Sequence, residues 1–143
     1  MHGLKERRMP PRSNPLKLNP LQLRTLTLLQ ALARLPAAAQ GGPGQGEITI
    51  HTFPQAHGDH FHLGDAVVAG KDATGLYNES VWNALTRKGL ARGEWPRQIT
   101  LLTDGLTYDT GDAREILRRG GHRLTLVRVA NFSLNKAAPS SLA

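Results

Sequence analysis

Residues 78 to 91, Asn-Glu-Ser-Val-Trp-Asn-Ala-Leu-Thr-Arg-Lys-Gly-Leu-Ala, constrain the fold more than any other stretch, because both ends and one face of a single element are specified together. Asn78 can accept a hydrogen bond from a free backbone N–H, and Glu79 suits the positive end of the helix dipole. Val81, Trp82 and Leu85 recur at helical spacing and make one apolar stripe. Arg87 and Lys88 fall in the last turn, Gly89 suits the left-handed position beyond it, and Leu90 can fold back on Leu85 as in a Schellman cap. The segment predicts a capped amphipathic helix.

Its neighbours set the frame around it. Asn19 followed by Pro20 is a helix start, since asparagine caps and proline lacks the donor that the first position cannot use. Leu21, Leu28, Leu29, Leu32 and Leu35, with Thr25 between them, form one face, and Pro36 ends the helix. Residues 36–46, rich in Gly, Pro and Ala, read as a flexible linker. Glu47 to Phe53 alternates polar with apolar residues and is β-branched, which predicts a strand that stops at Pro54.

Between Phe61 and Ala73 two readings compete. Leu63, Val67 and Val68 fit a helical face, whereas Ala66 to Ala69 equally suits a buried strand; a short helix is preferred. Residues 91–98, with Gly93 and Pro96, read as a turn or loop. Ile99 to Leu102 is a strand, and Asp112 to Arg119 a short helix stopped by Gly120 and Gly121. Arg123 to Ala130 suits a last strand.

A chain of 143 residues supplies one core with tails, and 15 glycines and 9 prolines gathered in a few stretches leave the folded part nearer about 100 residues. The absence of cysteine excludes disulfides, thiolate nucleophiles and cysteine zinc sites, and fits a reducing, cytoplasmic compartment. The segment from Met1 to Leu18 is basic without the apolar run of a secretory signal, and no segment is long enough to span a membrane. The formal net charge of +7 resides in the flanks and first helix: residues 1–18 carry five basic side chains against one acidic, while residues 47–96 carry four against six. Basic flanks suit a polyanion, because phosphate contacts release counterions.

The run from Val81 to Ala91, followed after eight residues by Thr100-Leu101-Leu102-Thr103-Asp104-Gly105, resembles winged helix-turn-helix regulators of the multiple-antibiotic-resistance-repressor type. There the recognition helix ends in a hydrophobic, basic, basic, Gly, Leu pattern, a β-hairpin wing follows, and the next helix opens with Leu-Thr and glycine. The resemblance covers residues 60–106. It implies an α/β (α+β) winged helix-turn-helix fold with three or four helices and a small antiparallel sheet. The organisation expected is a disordered basic arm over 1–18, a winged-helix-like domain over 19–130 and a frayed tail over 131–143.

The implied function is binding of double-stranded DNA, as a transcriptional regulator. Asn78, Ser80, Asn83, Thr86 and Arg87 would face the major groove, with Asn83 suited to adenine and Arg87 to guanine or a phosphate. Lys88, Arg92 and Arg97 would contact the backbone. The leucine stripe over residues 19–35 has more apolar surface than a minimal domain needs, which points to a homodimer through that helix.

A second concentration of chemistry lies at His51 and in Ala-His-Gly-Asp-His-Phe-His, residues 56–62. Imidazole and carboxylate at such spacing can converge on one metal, zinc being the ordinary choice, with His57, Asp59, His60 and His62 as candidates; in a strand His60 and His62 share a face. Gln55 to His60 also resembles the His-x-His-x-Asp-His motif of the metallo-β-lactamase fold, with Gln55 in place of the first ligand and only His122 left downstream. Ordinary surface or hydrogen-bonding histidines are the alternative. The rival functions are therefore a protein-interaction module without DNA binding and a metal-dependent hydrolase or metal-binding protein. No nucleophile elbow, phosphate-binding glycine loop or dinucleotide fingerprint is present, so DNA binding by a non-enzyme leads.

Overall fold

The computed structural model describes residues 14–117. The expected strand over Arg123 to Ala130, His122, the tail 131–143 and most of the basic arm lie outside the described residues.

Asn19 and Pro20 begin the first helix as their chemistry requires. Helix α1 (Pro20–Leu32) opens in a capping box: the Asn19 side chain accepts from Gln22 N–H, and the Gln22 side chain accepts from Asn19 N–H. Residues 25 to 29 are all buried. Five consecutive buried positions sweep the full circumference of a helix, so α1 runs through the core rather than along its edge. This corrects the argument for a dimer. The apolar surface that was surplus for an edge helix is consumed inside the chain.

Ordered structure also begins before Asn19. Asn14 brackets Leu18 with two 3.0 Å hydrogen bonds, the Tyr108 hydroxyl donates to Asn14 Oδ1 at 2.5 Å, and Leu18 is buried. Residues 14–18 are therefore part of the domain, held by a tyrosine that is distant in sequence.

Strand β1 (Ala39–Gly41) lies inside the stretch expected to be a linker and pairs antiparallel with β2 (Ile48–Ile50). Ala-Gln-Gly has little strand propensity of its own; its ladder partner and the buried Ala39 hold it. Glu47 closes the intervening turn by accepting from Gly44 N–H at 3.0 Å.

The segment around residues 56–69 folds as a three-stranded meander, not as the expected helix. Strands β3 (Ala56–His57), β4 (His60–Leu63) and β5 (Ala66–Ala69) pair antiparallel in that order. Gly58 (φ 67°) and Gly64 (φ 61°) supply the left-handed residues that two tight turns need, which leaves too short a run for a helix. Two 3-10 turns, Gly70–Asp72 and Thr74–Tyr77, then lead into helix α2 (Glu79–Arg87).

Beyond α2 the supposed loop over 91–98 is one arm of a hairpin, β6 (Ala91–Glu94) paired with β7 (Gln98–Leu101). Strand β7 also pairs with β2, giving a four-stranded antiparallel sheet in the order β1-β2-β7-β6. Ile50, Ile99, Leu101 and Ala91 are buried in one core with the leucines of α1 and with Val81, Trp82 and Leu85 of α2. The other face of this sheet is tied by Thr49 and Thr100, register partners whose hydroxyls lie 2.7 Å apart.

Two short helices follow, α3 (Thr103–Thr107) and α4 (Ala113–Ile116). The latter is the described part of the helix expected over Asp112 to Arg119, and Asp112 makes no side-chain capping bond to it. The described residues thus make a mixed α+β fold with four helices and antiparallel sheets, and no helix among them is long and apolar enough to cross a membrane.

Candidate functional site

The helix α2 and the hairpin behind it form the candidate site, and local chemistry explains its placement. Asn78 caps α2 by accepting from Ser80 N–H at 2.9 Å. At the other end Leu90 N–H donates to Leu85 C=O and Gly89 N–H to Thr86 C=O, each at 3.0 Å, with Gly89 at φ 78°. That pair of bonds is the Schellman motif expected from the sequence.

Packing decides which face is left over. Val81, Trp82, Ala84 and Leu85 are buried, and Trp82 is the hub. Its indole N–H donates to Leu76 C=O at 3.1 Å, and its ring meets Trp95 edge-on at 4.7 Å and Phe53 at 5.6 Å. A Cβ on Gly93 would stand 3.0 Å from the Trp82 ring, so the first hairpin strand comes close because that residue is glycine. Leu102 N–H donates to Leu90 C=O at 3.0 Å, and a Cβ on Gly105 would lie 2.1 Å from that carbonyl oxygen. The start of α3 therefore docks on the end of α2, and Gly105 is what permits it.

The opposite face exposes Glu79, Ser80, Asn83, Thr86 and Arg87. Ser80, Asn83 and Arg87 follow one another at three- and four-residue steps, so they share a stripe. No ion pair engages Arg87 among the described residues. Thr86 is partly committed, since its hydroxyl donates to Trp82 C=O at 2.9 Å.

The other residues singled out in the sequence are differently employed. The Asn78 carbonyl oxygen is occupied by its cap. Lys88 donates to Leu16 C=O at 2.8 Å and anchors residues 14–18 against the helix end. Arg92 binds Glu47 at 2.6 Å across the sheet. That hydrogen bond is the main reason the Glu47 carboxyl is held below the usual carboxylate range, with the Gly44 N–H adding to it and desolvation opposing. Arg97 pairs with Glu94 at 3.3 Å, but its side chain is 77% exposed, so that pair is weak and readily exchanged. Glu47 as the partner of Arg92 went unrecognised in the sequence, because a pair 45 residues apart is visible only once the strand register is known.

The helix that a helix-turn-helix would place before α2 is replaced by the β4–β5 hairpin and the two 3-10 turns. This corrects the helical assignment of residues 61–73.

His57, His60 and His62 lie on one hairpin of the meander. His57 and His60 are register partners across the β3–β4 turn, and His62 follows on the same face of β4. His60 Nε2 and His62 Nε2 lie 3.1 Å apart, and Asp59 Oδ1 lies 3.3 Å from His60 Nδ1. His51 stands apart with Thr52, at 2.9 Å. As placed, no three His, Asp or Glu side chains among the described residues gather their donor atoms around one point.

Comparison with protein-family models, with curated proteins and with solved structures finds no match to this chain.

Proposed function

We propose that the chain binds double-stranded DNA through the outward face of α2, with the β6–β7 hairpin acting as the wing of a winged-helix-like domain. The observation that carries this reading is the stripe of Ser80, Asn83 and Arg87, exposed on a helix capped at both ends and followed at once by an antiparallel hairpin. A nine-residue helix is about 13 Å long, which suits a major groove about 12 Å wide. Asn83 offers the paired donor and acceptor that adenine requires, and Arg87 the fork that guanine requires. Arg97 at the hairpin tip can exchange Glu94 for a phosphate, which positions the domain without reading sequence.

The hairpin supports the reading, because it follows α2 directly as the resemblance implies, whereas Gly105 comes one residue earlier after Leu102-Thr103 than the family pattern has it. Strand β5 over Ala66–Ala69 stands where a helix-turn-helix has its preceding helix and counts against that motif; α2 packs instead on the 3-10 turn at Thr74–Tyr77 and on α1. An apolar protein-docking face is the weaker alternative. Tyr77 is the large hydrophobic side chain exposed among the described residues, and its hydroxyl donates to Pro54 C=O.

Fluorescence anisotropy with mixed-sequence duplex DNA at several salt concentrations tests the proposal. Affinity falls as salt rises, and Arg87→Ala and Asn83→Ala each lose roughly 5- to 150-fold on a preferred sequence, about 1–3 kcal/mol. Salt-independent signal, or variants that bind like the wild type, would remove it.

A further inference from the structure

We propose that His57, His60 and His62 form a binding site for a borderline divalent transition metal, Zn²⁺ in the first instance, on the exposed face of the β3–β4–β5 meander. The backbone arrangement comes first. Gly58 and Asp59 make a two-residue turn with Gly58 at φ 67°, and such a turn fixes the register so that His57 and His60 stand directly opposite. Strand alternation then puts His62 on the same face as His60. Three imidazoles are thereby held to one side of one hairpin by the pleat alone.

The His60–His62 distance suits a shared proton or a shared metal ion, while the His57–His60 separation is wider than a bound metal requires. For imidazoles bound at about 2.0–2.1 Å in tetrahedral geometry, donor nitrogens lie roughly 3.3 Å apart and ring centroids roughly 5 Å apart. Here the two Nε2 atoms of His60 and His62 are 3.1 Å apart, and the three centroid separations are 4.8, 5.1 and 6.0 Å. Turning the exposed His57 ring about its side-chain torsions is the step that brings its donor to the other two.

Asp59 prepares the pair. A His60 Nδ1–H donated to the Asp59 carboxylate leaves Nε2 with its lone pair facing His62, the arrangement by which a carboxylate orients a ligating imidazole. Two imidazole nitrogens 3.1 Å apart can share a proton or a cation between them. Three nitrogen donors at an exposed site leave further positions to water and select Zn²⁺, Ni²⁺ or Cu²⁺ over Mg²⁺ or Ca²⁺. Asp59 is thus a positioning residue and the histidines are the ligands. The site does not depend on the DNA-binding reading.

Isothermal titration of the full chain with Zn²⁺ at neutral pH, alongside His57→Ala, His60→Ala, His62→Ala and His51→Ala, decides the matter. One ion per chain is expected. Each of the three meander variants should weaken binding at least tenfold, and His51→Ala should leave it unchanged. Histidine ¹⁵N spectra should show His60 protonated at Nδ1 before metal is added and Nε2 of all three rings shifted afterwards. Asp59→Asn should lower the Nδ1–H population at His60 and weaken binding roughly tenfold. No saturable uptake, or uptake that survives simultaneous replacement of the three histidines, would overturn the proposal. Unchanged circular dichroism in the variants separates loss of the site from loss of the fold.

Discussion

Gly89 and Gly105 frame the end of α2 for different reasons, and their replacement should separate them. Gly89 has open space around the position of a Cβ and is required only by its φ of 78°. Gly89→Ala should therefore cost about 1–2 kcal/mol, a fall of several degrees in Tm. Gly105→Ala drives a methyl into the Leu90 carbonyl, backbone against backbone, and should lower the thermal midpoint further than Gly89→Ala does. Equal losses in thermal unfolding would contradict this account.

Glu47 gives a prediction in pH. Its carboxyl is held below the usual carboxylate range by Arg92, so its folded value lies below its unfolded one. The stability it contributes is present above the unfolded value and is lost as pH falls through the folded one. Urea midpoints of wild type and Glu47→Gln should differ at neutral pH and converge in acid. A difference that persists in acid would place the effect elsewhere.

At the scale of elements, Trp82 joins three of them: α2, which carries it, the 3-10 turn that receives its N–H, and the hairpin that offers Trp95 and Gly93. Trp82→Ala should cost about 3–5 kcal/mol and abolish the near-ultraviolet signal of the Trp82–Trp95 pair, while Trp82→Phe should keep much of the stability. Retained stability in Trp82→Ala would show that the hairpin and α2 do not rely on this ring.

Helices α1 and α2 were legible in the sequence because caps and helical spacing are local signals. Asn19, Pro20, Asn78 and Gly89 all act where they were expected to act. The meander was not legible, since Ala66 to Ala69 fits a strand or a helix equally and the turns at Gly58 and Gly64 decide it. Strand β1 was hidden for the same kind of reason, its pairing being imposed by β2. Of the site, Ser80, Asn83 and Arg87 followed from helical facing alone. The engagements of Lys88 with Leu16 and Arg92 with Glu47 did not, because they span 72 and 45 residues.

Across the whole molecule, the net charge of +7 is concentrated outside residues 47–96, and under the proposed DNA-binding reading it would add a nonspecific attraction to the phosphate backbone. A chain lacking residues 1–13 loses Lys5, Arg7, Arg8 and Arg12, and should bind duplex DNA with a shallower salt dependence but the same sequence preference. That behaviour separates the arm from the reading face. The most direct measurement is a titration of ¹⁵N-labelled protein with duplex DNA followed by amide and side-chain shifts. The account predicts the largest changes at Ser80, Asn83, Arg87 and the hairpin tip around Arg97. Changes confined to residues 1–13, with α2 and the hairpin unmoved, would contradict it.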